Sequence, residues 1–329
     1  MSFFAVLCAL LLEQLKPLPR DNWVYHRLVG WVGWAEHNFD AGKPRHVWVV
    51  WCVAVGVPTL AVTLLYWGVL HFSVVAAAIF NVAVLYFTLG FRQFSHYFTD
   101  IRDALERGDE GEARRLLTQW LHLDTSELPR TELLRHVVEH ALLAAHRHVF
   151  GVFFWFIVCA AVGLGPAGAV LYRMAEFVSR YWAYRQRALD APASTGLLEL
   201  SQRLFMRIDH VPARLTAFGF AVVGNFEEAV NGWRRDAGLW QRDNEGHILA
   251  AAAGAVGVQL GGSAAPGVTP DRSKTFEAGA AAGAAGAAGS TAGTPLALNH
   301  LQSVVALVWR SVVLWMLLLA LLSLANLLG

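Results

Sequence analysis

The chain has little charge, and what it has nearly cancels. Asp, Glu, Lys and Arg make up 16% of its 329 residues and leave a net charge of +1, which gives no electrostatic reason to bind nucleic acid or seek an acidic substrate. None of these residues falls between His46 and Phe91, nor between His148 and Tyr172. Water-soluble helices rarely run so far without an ionised side chain. Cysteine is also scarce. Cys8, Cys52 and Cys159 all lie in apolar stretches and form no CxxC pair, so no disulfide framework is encoded and each reads as a small hydrophobe. No fixed-period repeat is present. No basic n-region or Ala-x-Ala cleavage pattern precedes Glu13, which argues against a removed signal peptide.

What fills the chain instead is apolar. Hydrophobic residues reach 56% and Trp reaches 13, above the averages of soluble proteins. This predicts an all-α integral membrane protein in one domain, residues 1–329, with four or five membrane helices and amphipathic cytoplasmic helices. A crossing needs about 20 apolar residues. Residues 47–70 and 72–90 meet that as a tight hairpin, 149–171 as a third span and 311–328 as a fourth. Residues 1–12 are apolar but short and read as a retained helix. Lys43, Arg45, Arg92, Arg147, Arg173 and Arg310 place every large connecting segment on one side, the cytoplasm, by the positive-inside rule. A single crossing at 149–171 cannot achieve that. Either its Gly- and Pro-rich half turns back or residues 211–224 dip into the bilayer as a short element. The expected location is the bacterial inner membrane, multi-pass.

The connecting segments carry the polar chemistry. Ile101, Leu105, Ala113, Leu116, Leu117, Trp120 and Leu121 recur at helical spacing on either side of Gly108-Asp109, predicting two helices and a turn. Residues 261–293, mostly Gly, Ala, Ser and Thr, cannot bury enough apolar surface to order themselves and read as a flexible loop. His136-Val137-Val138-Glu139-His140 matches the HxxEH zinc-peptidase pattern. Such a site needs a further ligand, and the plainer reading is a polar helix face with no metal.

Several blocks share one order. They are Leu105, Gly108-Asp109, Ala113-Arg114, Leu117 and Asp124-Thr125, then Phe154-Trp155, Gly165-Pro166-Ala167-Gly168, Pro212-Ala213-Arg214-Leu215-Thr216, Asn244 with Gly246, and Gly257-Val258-Gln259-Leu260-Gly261-Gly262. Together they resemble the CobD/CbiB family of cobalamin synthesis over most of the chain. The resemblance implies a helical membrane fold. It also implies an ATP-dependent, ligase-type reaction, with Mg, that joins an amino alcohol or its phosphate to a corrinoid carboxylate.

Departures from the family pattern cluster where that chemistry would sit. The family's Glu-Asn-x-x-Asp-Gly signature falls on Leu143, Ala144, Arg147 and His148, and its later Asn and Asp fall on Glu176 and Ser179. Magnesium in such sites is held by carboxylates and phosphate oxygens, so Leu143 and Arg147 offer it nothing. His146-Arg147-His148 before Phe154-Trp155, and Leu12-Glu13, also resemble AmpE, a membrane relative associated with β-lactamase induction. Two readings therefore stand. One is a catalytically degenerate, AmpE-like accessory that binds a corrinoid or cell-wall-derived small molecule. The other is the cobinamide-phosphate synthase itself. The candidate ligand residues are Asp124, Thr125, Asn244, Gly246, Gly257, Gln259, Glu13 and Glu176: in the synthase reading they remain from a phosphate or corrinoid site, with Glu13 and Glu176 standing in for lost acids, and in the accessory reading they shape a pocket or support packing. No catalytic residue is assigned. For Asp124-Thr125 and Asn244 the plainer alternative is helix capping, and for the glycines it is close packing.

Overall fold

The computed structural model describes residues 2–15, 23–40, 44–89, 91–121, 128–187, 194–240, 242–262 and 289–328. Among the described residues regular structure is helical, and extended pairing is limited to two isolated bridges, Val258 with Thr294 and Gly261 with Ser290. In chain order the helices are α1 (Ser2–Leu15), α2 (Trp23–Phe39), α3 (Pro44–Trp51), α4 (Val57–Phe72), α5 (Val74–Thr88), α6 (Phe91–Glu106) and α7 (Glu110–Leu121). They continue as α8 (Arg130–Ala145), α9 (Gly151–Ala161), α10 (Ala167–Arg187), α11 (Thr195–Val223), α12 (Phe226–Asp236), α13 (Asp243–Val256) and α14 (Leu298–Leu328). Single π turns at Cys52–Gly56 and His146–Phe150 join α3 to α4 and α8 to α9. Among the described residues three continuous helices are long and apolar enough to cross a membrane: His46–Phe72, Arg130–Ala161 and Leu298–Ala325. Phe3–Leu15 and Val74–Thr88 are shorter and apolar.

The chain divides into two compact units: residues 1–93, 147–209 and 316–329, and residues 94–146 and 210–315. In the first unit α10 packs on α9, α4 and α5, while α1 packs on α5. Val6, Ala9, Leu85, Phe153, Phe156, Tyr172 and Trp182 form its core. The predicted hairpin turns at Ser73, whose extended backbone and side-chain acceptor for the Ala76 N–H cap α5. Leu60, Leu64, Leu65 and Ile79 point outward from α4 and α5, the pattern of helices that face lipid.

The stretch expected to be one span at 149–171 is broken. Helix α9 stops at Ala161, and Gly163 and Gly165 adopt positive φ, where β-carbons are disfavoured. Helix α4 clasps this turn: the Trp67 indole donates to the Gly163 carbonyl at 2.9 Å, and a β-carbon on Gly165 would lie 2.5 Å from the Tyr66 ring. The long apolar helix runs the other way, back to Arg130, and 72% of its most apolar window is buried. Pro212 inside α11 cannot donate to the Ile208 carbonyl. The Trp155 indole N–H occupies that carbonyl at 3.0 Å.

In the second unit Gly108, at φ +78°, reverses the chain between α6 and α7, and Asp109 caps α7 by accepting from the Glu112 N–H at 2.9 Å. Ile101, Leu105, Leu117 and Trp120 bury the amphipathic faces of this pair. Helices α12 and α13 approach through glycine: any side chain on Gly254 would overlap the Glu228 carbonyl, and one on Gly232 would meet the Ala250 carbonyl. The ends of the Gly- and Ala-rich tract are paired. Gln259 donates to Thr294 O, Thr291 to Leu260 O and Gly262 to Gly289 O, each through its backbone N–H.

Candidate functional site

The predicted site residues fall into three groups. Asp124 and Thr125 lie outside the described residues. Glu13 and Glu176 belong to the first unit, and Asn244, Gly246, Gly257 and Gln259 to the second.

In the first unit Glu13 is 3% exposed on α1. Glu176 on α10 is buried between arginines one helical turn away on each side, with Arg173 at 3.1 Å and Arg180 at 2.5 Å. A carboxylate so held is compensated, and the pair geometry is the i, i+3 and i, i+4 spacing of one helix face. Beside it the Tyr172 hydroxyl donates to Asp209 at 2.8 Å, and its ring fills the space left by Gly151, where any side chain would overlap it. Arg147 is also buried.

In the second unit the centre of the polar geometry is Arg214, from the Pro-Ala-Arg-Leu-Thr block on α11. Its guanidinium reaches the first turns of α13, with Nη2 3.1 Å from Asp243 Oδ2 and Nη1 3.4 Å from Asn244 Oδ1. Two histidines flank it, His210 at 2.8 Å and His247 at 2.9 Å. Trp233 on α12 donates its indole N–H to His247 Nδ1 at 2.6 Å, so Nδ1 is bare and the neutral ring carries its proton on Nε2, 3.3 Å from Asp243 Oδ1. Burial, and Arg214 with it, hold the His247 pKa below its ordinary value against the opposing pull of Asp243. Asp243 is well exposed, so its pair with Arg214 contributes little stability and leaves the guanidinium exchangeable. Chemically this is a forked donor beside an imidazole, suited to a phosphate or carboxylate. His210 stands one turn before Arg214 on the same helix, a spacing legible in the sequence; His247 and Trp233 carry no such signal, and only the fold brings them to Arg214.

The remaining predicted residues divide along α13. Asn244 and Gly246 are at its start, and Gly257 and Gln259 just past its end, roughly 20 Å away at the rise of an α-helix. Gly246 is tightly packed, since a side chain there would overlap the Ala237 carbonyl oxygen. Gly257 adopts the left-handed conformation, φ +77°, that closes α13. A β-carbon there would meet open space. Gln259 is half-buried and bonds through its backbone to Thr294.

The HxxEH residues are tied into the fold of the second unit. Glu139, wholly buried on α8, accepts from the backbone N–H of Gly261 at 2.7 Å, joining that motif to the Gly-Val-Gln-Leu-Gly-Gly segment 122 residues on. His140 packs edge-on against Trp120, and His136 is buried. Among the described residues no three His, Cys, Asp or Glu side chains converge. The described residues therefore offer magnesium no ready-made cage of ligands. Leu143 and Ala144, where the family's acid and amide would fall, are buried and apolar.

A helical chain with apolar helices of membrane-crossing length has the architecture of a membrane-associated protein. The chain belongs to the CobD/CbiB family: the model described as CobD/Cbib protein matches residues 6–282. It is 34% identical to the cobalamin biosynthesis protein CobD of Stutzerimonas stutzeri over 269 residues, 80% of this chain and 83% of that one. It is 35% identical over 184 residues to that of Chromobacterium violaceum, 56% of this chain and 55% of that one. It is 26% identical over 190 residues to that of Leptospira interrogans, 55% of this chain and 56% of that one. No solved structure matches significantly.

Proposed function

We propose that this chain is a multi-pass inner-membrane protein of cobalamin biosynthesis that acts as the synthase, joining an amino alcohol phosphate to a corrinoid carboxylate. One observation carries the proposal: Arg214 and Asn244, from two separate blocks of family resemblance, meet at 3.4 Å, in a chain aligned with a CobD protein over 80% of its length. Arg214 holds a phosphate or carboxylate oxygen, Asn244 orients it, and His210, accepting from the guanidinium through Nδ1, keeps it aimed. ATP with Mg would supply carboxylate activation, and the exposed Asp243 beside Arg214 is the carboxylate that would help hold the metal together with phosphate oxygens. The outward apolar faces of α4, α5 and α14 contact lipid, and α6, α7, α12 and α13 form the cytoplasmic layer.

A second reading, an accessory that binds its ligand without turning it over, draws on Leu143, Ala144 and Arg147, all buried where the family's acids and amide would be. Expression in a strain lacking its own cobinamide-phosphate synthase separates the two. The synthase reading predicts restored cobalamin synthesis by the unmodified chain and its loss in Arg214→Gln, with Arg214→Lys intermediate. No rescue by well-expressed, membrane-inserted protein would leave the accessory reading standing.

A further inference from the structure

Away from the Arg214 cluster, the second unit has a cavity of about 430 Å³ lined by Gly224, Ala255, Val256, Gln302, Ser303 and Arg310, with Ala306 and Leu307 completing its wall. This is the size of a small-molecule site. One side is made of two helix ends. Gly224 follows the last residue of α11, and Ala255 and Val256 are the last of α13. The Asn225 N–H donates to Ala255 O at 3.1 Å, and the absence of a side chain at Gly224 lets the ends meet, since a β-carbon there would sit 2.6 Å from that of Ala255. Helix C-termini carry the negative end of the peptide dipoles and attract cations. The other side is α14, which presents Gln302, Ser303 and the Arg310 guanidinium. Arg310 is exposed and makes no hydrogen bond or ion pair among the described residues.

The position of Arg310 along α14 fixes its depth. Residues 311–328 follow it without a charge, a length of roughly 27 Å as helix, close to the hydrocarbon thickness of a bilayer. With α14 crossing the membrane, as proposed above, the guanidinium sits at the level of lipid phosphates. A ligand suited to this cavity carries a phosphate for Arg310 and, a few ångströms away, an ammonium whose N–H groups reach the helix-end carbonyls. We propose that the cavity is a lipid site for the zwitterionic phosphoethanolamine headgroup of a membrane phospholipid. A phosphocholine headgroup has no N–H to donate, and a phosphoglycerol headgroup has no cation. Each lacks half of the match.

The test uses the full chain carrying Arg214→Gln, which removes the site proposed above for an amino alcohol phosphate, purified in detergent and stripped of lipid; it needs no corrinoid, so its outcome is independent of the synthase assay. Thermal stabilisation is titrated with short-chain phosphatidylethanolamine, phosphatidylcholine, phosphatidylglycerol and free O-phosphoethanolamine. The expected order puts phosphatidylethanolamine at least roughly tenfold ahead of the others, with that advantage lost in Arg310→Gln. Ala306→Leu, which fills the cavity without touching charge, should lose it as well. If Arg310→Gln does not fold, Ala306→Leu alone decides. Equal stabilisation by the three lipids, or undiminished preference in Ala306→Leu, overturns the site. Tighter binding of free O-phosphoethanolamine than of the lipid overturns the lipid assignment.

Discussion

Gly246 and Gly257, both candidate ligand residues, respond to different physics. Gly246→Ala forces a β-carbon into the Ala237 carbonyl oxygen, and such overpacking costs about 1–3 kcal/mol. Gly257→Ala has open space but must hold a left-handed backbone, which costs about 1–2 kcal/mol. Thermal denaturation in detergent should therefore show both variants destabilised, and Gly257→Asn, a residue that tolerates this conformation, close to wild type. His247 gives a pH signature. Its folded pKa lies below the ordinary 6.5, so the unfolded chain takes up the proton first. The stabilisation is complete above that ordinary value and is lost as pH falls through the lowered folded value. His247→Gln should flatten the drop in melting temperature on going from pH 8 to pH 5. An equally steep drop in that variant would remove His247 as its source. None of these partners was legible in the sequence. Arg214 stood out as part of a family block, with His210 one turn before it on the same helix, but its contacts with His247 and Asp243 depend on how α11 and α13 pack.

Helices were more legible where chemistry is local. The charge-free runs are helical at α4, α5 and α14, because an apolar stretch satisfies its own backbone most simply as helix, although α5 at 15 residues is shorter than the span expected at 72–90; Gly108-Asp109 gave the α6–α7 turn because a left-handed glycine followed by a capping aspartate is a local device. The break after Ala161 was half visible in Gly163, Gly165 and Pro166. The clasp by Tyr66 and Trp67 that holds it was not, being about a hundred residues away in sequence. The same holds for Pro212, whose freed carbonyl is matched by an indole 53 residues earlier. Trp155→Phe keeps the ring's bulk and leaves the Ile208 carbonyl without that donor, a loss of about 1–3 kcal/mol, measurable as a lower melting temperature. An unchanged melting temperature would mean another donor takes the carbonyl. At Glu139, Gln can still accept from the Gly261 N–H whereas Ala cannot. Slow hydrogen exchange at the Gly261 amide should survive Glu139→Gln and vanish in Glu139→Ala.

For the molecule as a whole, the collinear blocks identify the family and the structure explains why they can be collinear without being contiguous. The Pro-Ala-Arg-Leu-Thr block supplies Arg214, the Asn-x-Gly block supplies Asn244, and the HxxEH glutamate ties down the last glycines of the Gly-Val-Gln-Leu-Gly-Gly segment. Leu143 and Ala144, the positions expected from the resemblance to carry the family's acid and amide, are buried and apolar, and on that expectation synthase and accessory divide. The most direct test is in vitro turnover. Full-length protein in lipid nanodiscs is supplied with the corrinoid carboxylate precursor, an amino alcohol phosphate, ATP and Mg, and the corrinoid mass is followed. The account predicts a mass gain equal to the amino alcohol phosphate less one water, dependent on ATP and abolished in Arg214→Gln. Corrinoid that binds the protein but keeps its mass would contradict it.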